Sequence, residues 1–181
     1  RRFGKTLNLS MLKYYFERVK EDNSFLFRDL EIWQQGEEYT SKQGYFPVVY
    51  LSFKEIKENN ITNCLTNMKM QLADEFKRHD YILKSSKIRD IDKKHFKDII
   101  EEKADYVHCK NSLKLITRLL YEYYTIPVIV LIDEYDTPIN DGYLTGYYEE
   151  IIDFMRTFLC GGLKGNSYLK TAVISGIYRV A

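Results

Sequence analysis

The chain has 181 residues, with 27 Lys plus Arg against 26 Asp plus Glu and a formal charge of +1. At 45% hydrophobic and 29% charged, it has the composition of a globular domain, long enough to bury roughly 70% of its unfolded surface without staples. These figures exclude a disordered or collagen-like chain, and no run approaches the ~18 apolar residues of a membrane span. The even charge balance argues against a dedicated nucleic-acid binder with a basic face.

In chain order, residues 6–19 predict a helix, because Leu9, Leu12, Phe16 and Val19 make one apolar stripe. The β-rich run 46–53 predicts a strand, and 60–79 a second helix with Leu65, Met68, Leu72 and Phe76 on one side. Residues 84–103 carry seven Lys or Arg and five Asp or Glu, and read as the solvated side of one or two short helices. A further helix is expected over 109–124, with Leu113, Ile116, Leu120 and Tyr123 inward.

Pro127 opens the most apolar run, Val128 to Ile132, which reads as a central parallel strand covered on both faces. Asp133-Glu134-Tyr135-Asp136 follow, and Pro138 is expected to break the chain. Residues 145–159 predict a helix that Gly161-Gly162 stop. Thr171 to Ser175 predict a last buried strand. Cys64, Cys109 and Cys160 are odd in number and far apart, with no metal-ligand spacing, so they read as reduced thiols of a cytoplasmic protein.

Strands separated by long helices imply an α/β layered fold with a parallel sheet, whose ligands bind beyond the carboxyl ends of the strands. That rule puts Asp133, Glu134 and Ser175 on the ligand side.

Gly4-Lys5-Thr6 ahead of an amphipathic helix is the second half of the phosphate-binding pattern Gly-x-x-x-x-Gly-Lys-Ser/Thr. Gly4 permits close backbone approach, and the amides at the helix start face an anion. Lys5 supplies charge for the β- and γ-phosphates, and the Thr6 hydroxyl can join a Mg²⁺ shell. A buried strand ending in Asp133-Glu134 completes the set: Asp133 would hold Mg²⁺ through water, and Glu134 would orient the attacking water. Ser175, at the end of the next strand, is placed to sense the γ-phosphate or that water. Each motif alone is weak; their order, with a strand between, is what points to a nucleotide.

The segment Arg1 to Leu12, RRFGKTLNLSML, resembles the P-loop segment of the bacterial AAA-ATPase-like family, usually RPRRFGKS before a Leu/Ser-rich helix. Val130 to Ile139 is similar to that family's Walker B segment, and Ala172 to Ala181 to its ITGVLRIA-like strand and turn, with Ser175 where Thr is common. The resemblance implies a three-layer P-loop NTPase fold lacking its first strand, with a helical insertion around 59–124. The reading expects one ATPase-like domain over 1–181, truncated at both ends. It also implies ATP and Mg²⁺ as ligands, with Arg2, Phe3, Gly4, Lys5, Thr6 and Leu7 around the nucleotide, Thr6 and Asp133 at the metal, and Glu134, Lys5 and Ser175 in catalysis. Nothing in the residues separates adenine from guanine; the choice of ATP comes from the resemblance.

Arg1 and Arg2 stand where a standard loop is Gly-rich, and with Arg156 and Arg179 they are the candidate guanidinium contacts to phosphate. The leading expectation is Mg-dependent ATP hydrolysis driving conformational change. A second is a nucleotide-responsive scaffold with negligible turnover, whose 16 Tyr and 10 Phe exceed core needs and serve a protein partner. A third is the regulatory ATPase part of a DNA-processing protein, since many family members carry a PD-(D/E)xK nuclease-like domain downstream; DNA enters by that association alone.

Overall fold

The computed structural model describes residues 4–177. Helix α1 (Lys5–Phe16) comes first, followed by two short helices, α2 (Glu31–Gln34) and α3 (Glu37–Thr40), and then strand β1 (Val48–Ser52). Four helices separate β1 from β2: α4 (Ile61–Arg78), α5 (Asp90–Ile100), α6 (Tyr106–Lys110) and α7 (Ser112–Tyr124). Strand β2 (Val128–Asp133) leads into α8 (Thr137–Thr145), α9 (Tyr148–Leu163) and strand β3 (Leu169–Ile174). The architecture is α/β, and the described strands form a parallel sheet in the order β1-β2-β3.

The pleat of β2 sorts its side chains onto two cores. Ile129 and Leu131 join Leu9, Phe46 and Val48 on the α1 side. Val130 and Ile132 join Val49, Leu51, Met68, Leu72, Ile116, Leu120, Phe154 and Phe158 on the other. Every residue of β2 is buried, as a strand between two partners and two helical layers must be. Full burial of one such side chain is worth about 1.5–3 kcal/mol, so this strand holds both layers together.

The outer edge of β1 is closed by side chains of α4. The Tyr50 amide donates to Glu75 Oε1 at 2.8 Å, and Arg78 Nη2 donates to the Val48 carbonyl at 2.7 Å. Arg78 also holds Glu75 at 2.6 Å and pairs with Glu17, which caps α1. A partly buried guanidinium–carboxylate pair thus fills hydrogen bonds that a neighbouring strand would otherwise make.

Several expectations need correction. The first helix ends at Phe16, because Glu17 turns extended and bridges Phe46, which leaves Val19 exposed beyond it. Pro138 does not break the chain; it sits in the first turn of α8, where a missing N–H costs nothing. Gly161 and Gly162 do not stop a helix either, since α9 runs through both to Leu163. Gly162 is there for contact: a Cβ would lie 2.6 Å from Cγ and Cδ2 of Leu113, so α7 and α9 touch where a side chain is missing.

The charged stretch 84–103 is less solvated than its composition implies, since Ile88, Phe96 and Ile99 are core residues. Among the described strands β3 lies at the edge of the sheet, and it is not buried there: Val173 is 37% and Ile174 39% exposed. The aromatic surplus is spent partly inside, in the cluster of Tyr81, Tyr123 and Tyr124 and in the pairs Tyr15–Phe27 and Tyr121–Tyr168. Tyr14, Tyr39, Tyr45, Tyr106 and Tyr143 are exposed. Cys64, Cys109 and Cys160 are all free thiols. Among the described residues, no helix is long and apolar enough to cross a membrane.

Candidate functional site

The two chemical motifs meet at the carboxyl end of β2. Gly4 caps α1 in the left-handed region (φ 71°), which a residue without Cβ enters freely, and its carbonyl accepts the Asn8 amide at 2.8 Å. The first turn of α1 carries no acidic residue, so the positive end of the helix dipole is left for an anion. Lys5 is the first residue of that helix and half-buried. Leu7, two residues further on, is 64% exposed.

Thr6 Oγ1 donates to Asp133 Oδ2 at 2.7 Å. From the next strand, Ser175 Oγ donates to Asp133 Oδ1 at 2.5 Å. Asp133 is the last residue of β2 and has no exposed surface, so each carboxylate oxygen takes a hydroxyl in place of water. Its charge is felt nearby: burial, and then the Asp133 carboxylate, raises the Tyr50 phenol above its ordinary range.

Glu134 leaves the strand with φ 49°, a left-handed conformation that costs a non-glycine residue roughly 1–2 kcal/mol. Such strain is held by the surrounding bonds: Thr137 N donates to the Glu134 carbonyl at 3.1 Å, and Thr137 Oγ1 to its carboxylate at 3.3 Å. The turn brings Glu134 out of the buried strand as a half-exposed carboxylate directly after Asp133.

The structure therefore gathers Gly4, Lys5, Thr6, Asp133, Glu134 and Ser175 at one end of the sheet. Arg2 and Phe3, with Arg1 and Arg179, lie outside the described residues. Arg156 is exposed on α9, where its charge acts on Asp153. Thr137 and Asp136 were missed as site residues by sequence reasoning. Asp136 was legible in principle as the third acid of Asp133-Glu134-Tyr135-Asp136; nothing flagged Thr137. A separate hollow of about 240 Å³, lined by Leu65, Lys69, Tyr106, Cys109 and Phe154, shares no residue with this site.

Among the described residues, no group of three or more His, Cys, Asp or Glu could hold a metal ion by itself. Mg²⁺ does not need one: it usually takes one or two protein oxygens and completes its shell with water and substrate phosphates. A threonine hydroxyl and a carboxylate already in contact are a donor set of that hard-oxygen kind.

A family model described as predicted AAA-ATPase matches residues 1–181. The chain belongs to this AAA-ATPase-like family. Membership places the protein, at the coarse level, among ATP-binding or ATP-hydrolysing proteins, and the three-stranded parallel α/β sheet is consistent with a P-loop-like fold. No curated protein and no solved structure matches the chain. In this AAA-ATPase-like chain, Thr6 and Ser175 both bond Asp133, which brings the start of α1 and the ends of β2 and β3 together.

Proposed function

We propose that the protein binds Mg·ATP at the end of β2 and hydrolyses it, using the free energy to change conformation. The observation that carries this reading is the contact of Thr6 with Asp133, which joins the two halves of a nucleotide site across 127 residues. The amides after Gly4 and the Lys5 ammonium hold the β- and γ-phosphates. Thr6 and Asp133 would hold Mg²⁺, which offsets negative charge on the phosphate oxygens. Ser175 keeps the Asp133 carboxylate in one orientation. Glu134 orients a water for in-line attack on the γ-phosphorus and accepts its proton as the bond to the β-phosphate oxygen breaks.

Calorimetry with Mg·ATP tests this. The parent protein is expected to bind, and Lys5→Ala to lose at least tenfold in affinity. Binding that is unchanged by Lys5→Ala would sink the assignment of the phosphate site.

One observation favours a second reading, a nucleotide-dependent switch with little turnover. The Glu134 carboxylate is bonded to Thr137, which competes with its use on water. The two readings differ in what is recovered from the protein after incubation with ATP: diphosphate for the hydrolase, triphosphate for the switch.

A further inference from the structure

The turn after β2 and the turn after β3 are joined by bonds that the catalytic reading does not use. Asp136 is buried, and its Oδ2 accepts the backbone amide of Ile177 at 2.7 Å. The Tyr135 amide donates to the Ser175 carbonyl at 3.1 Å, and the Ser175 amide donates to the Ile132 carbonyl at 2.8 Å. Gly176 lies between these anchors with no room for a side chain. A Cβ there would stand 2.7 Å from both Asp136 Oδ1 and Tyr135 Cε1. The backbone of residues 175–177 is therefore pressed onto the side chains of residues 135 and 136.

This seating has one consequence for chemistry. Ser175 is the first residue of that pressed segment, and its hydroxyl reaches Asp133 at 2.5 Å. Only a backbone held at this depth delivers the hydroxyl to the carboxylate, because a serine side chain has one rotatable bond and a reach of little more than its Cβ–Oγ length.

We propose that Asp136 is a positioning residue: through the Ile177 amide and the Gly176 contact it fixes the Ser175 hydroxyl on Asp133, and so fixes the carboxylate that would serve Mg·ATP. The proposal rests on the hydrolase reading for its catalytic consequence, but not for the clamp itself. Asp136 acts on the end of β3 rather than on the nucleotide. It therefore governs how Asp133 is aimed, and leaves the Gly4 and Lys5 contacts to phosphate in place.

The test uses Asp136→Ala, Gly176→Ala and Asp136→Asn in the whole protein. Asp136→Asn keeps an oxygen that accepts the Ile177 amide and leaves Gly176 unobstructed. Turnover (kcat) is expected to fall about tenfold or more in Asp136→Ala and Gly176→Ala, with KM for ATP changed less than threefold, and Asp136→Asn is expected to recover most of the loss. A fall in kcat that follows only the folded fraction, or an Asp136→Asn variant as poor as Asp136→Ala, would overturn the positioning role.

Amide hydrogen exchange separates this claim from the hydrolase reading. Asp136→Ala is expected to lose protection at Tyr135, Ser175 and Ile177 together, whether or not the parent hydrolyses ATP. Unchanged protection at Ser175 and Ile177 would overturn the clamp, whereas a parent with no turnover but a clamp that responds would count only against the hydrolase reading.

Discussion

The Thr6 hydroxyl donates to the Asp133 carboxylate at 2.7 Å, although the two residues lie 127 positions apart. Thr6 is exposed at the start of α1, whereas Asp133 is sealed at the end of β2. The bond therefore joins a water-facing helix terminus to a dry strand end, which is where the proposed reading brings phosphate and a cation together. Thr6→Ala is expected to cost about 1–3 kcal/mol, since it leaves one oxygen of the sealed Asp133 carboxylate without its donor. It is expected to weaken the Mg²⁺ dependence of ATP binding by about tenfold, as read by titrating Mg²⁺ at fixed ATP.

The two adjacent glycines of α9 should respond with opposite sign. Gly162→Ala drives a Cβ against the Leu113 side chain and is expected to cost about 1–3 kcal/mol. Gly161 is exposed, and a Cβ there meets nothing within 4 Å, so Gly161→Ala is expected to stabilise by roughly 0.5–1 kcal/mol. Thermal denaturation of the pair measures both.

The bonds that close the edge of β1 make Arg78 a stability residue. Burial lowers its guanidinium to about 10 and pushes the Glu75 carboxyl well up, against the Tyr50 amide and the Lys13 charge, which lower it; Arg78 meets that carboxylate through Nε at 3.0 Å and Nη2 at 2.6 Å. Arg78→Met leaves Glu75 buried without its partner and is expected to cost about 3 kcal/mol in denaturant unfolding.

His79 gives the molecule an acid-sensitive term. Its Nε2 faces the Val48 carbonyl at 3.1 Å and its Nδ1 the Tyr81 hydroxyl at 3.0 Å, which the Tyr124 hydroxyl supports in turn. Burial, and then the Arg78 and Lys13 charges, hold its pKa well below 6.5, so the folded protein keeps it neutral where the unfolded chain takes a proton. The unfolded state binds more protons below pH 6.5, so this contribution is present at higher pH and is lost as pH falls. Relative to His79→Gln, the parent is expected to lose stability between pH 7 and pH 5, by at most about 2 kcal/mol, with Glu75 Oε1, at 3.4 Å from Nε2, as the acidic group that opposes the loss.

The thiols should react in two classes. Cys160 is exposed, whereas Cys64 and Cys109 are buried, and burial pushes the Cys64 thiol up to about 11. Burial raises Cys109 as well, and its Sγ contacts the Ala104 carbonyl. A thiol reagent at neutral pH is expected to modify Cys160 quickly, and Cys64 and Cys109 only as the chain unfolds.

Much of this was legible in the residues, and what was not has definite causes. β2 stood out because five consecutive aliphatic residues can be covered only from both sides of a sheet. α4 stood out because its period survives over 18 residues. α8 was hidden because Pro138 and Gly142 fall within nine residues that hold no apolar stripe. The run of α9 through Gly161 and Gly162 was hidden because the reason for a glycine there is Leu113, on another helix.

At the site, Lys5, Thr6, Asp133 and Glu134 were readable because phosphate chemistry fixes their type and order. The bond from Ile177 to Asp136 was not, since its donor is a backbone amide 41 residues away and carries no side-chain signature.

The most direct test of the central claim is a single-turnover measurement with Mg·ATP on the parent protein and on Glu134→Gln, following both bound nucleotide and released phosphate. The account predicts that both bind ATP with similar affinity, that the parent releases phosphate, and that Glu134→Gln slows release by a hundredfold or more and retains triphosphate. Equal rates in the two proteins, or a parent that neither binds nor hydrolyses ATP, would contradict it.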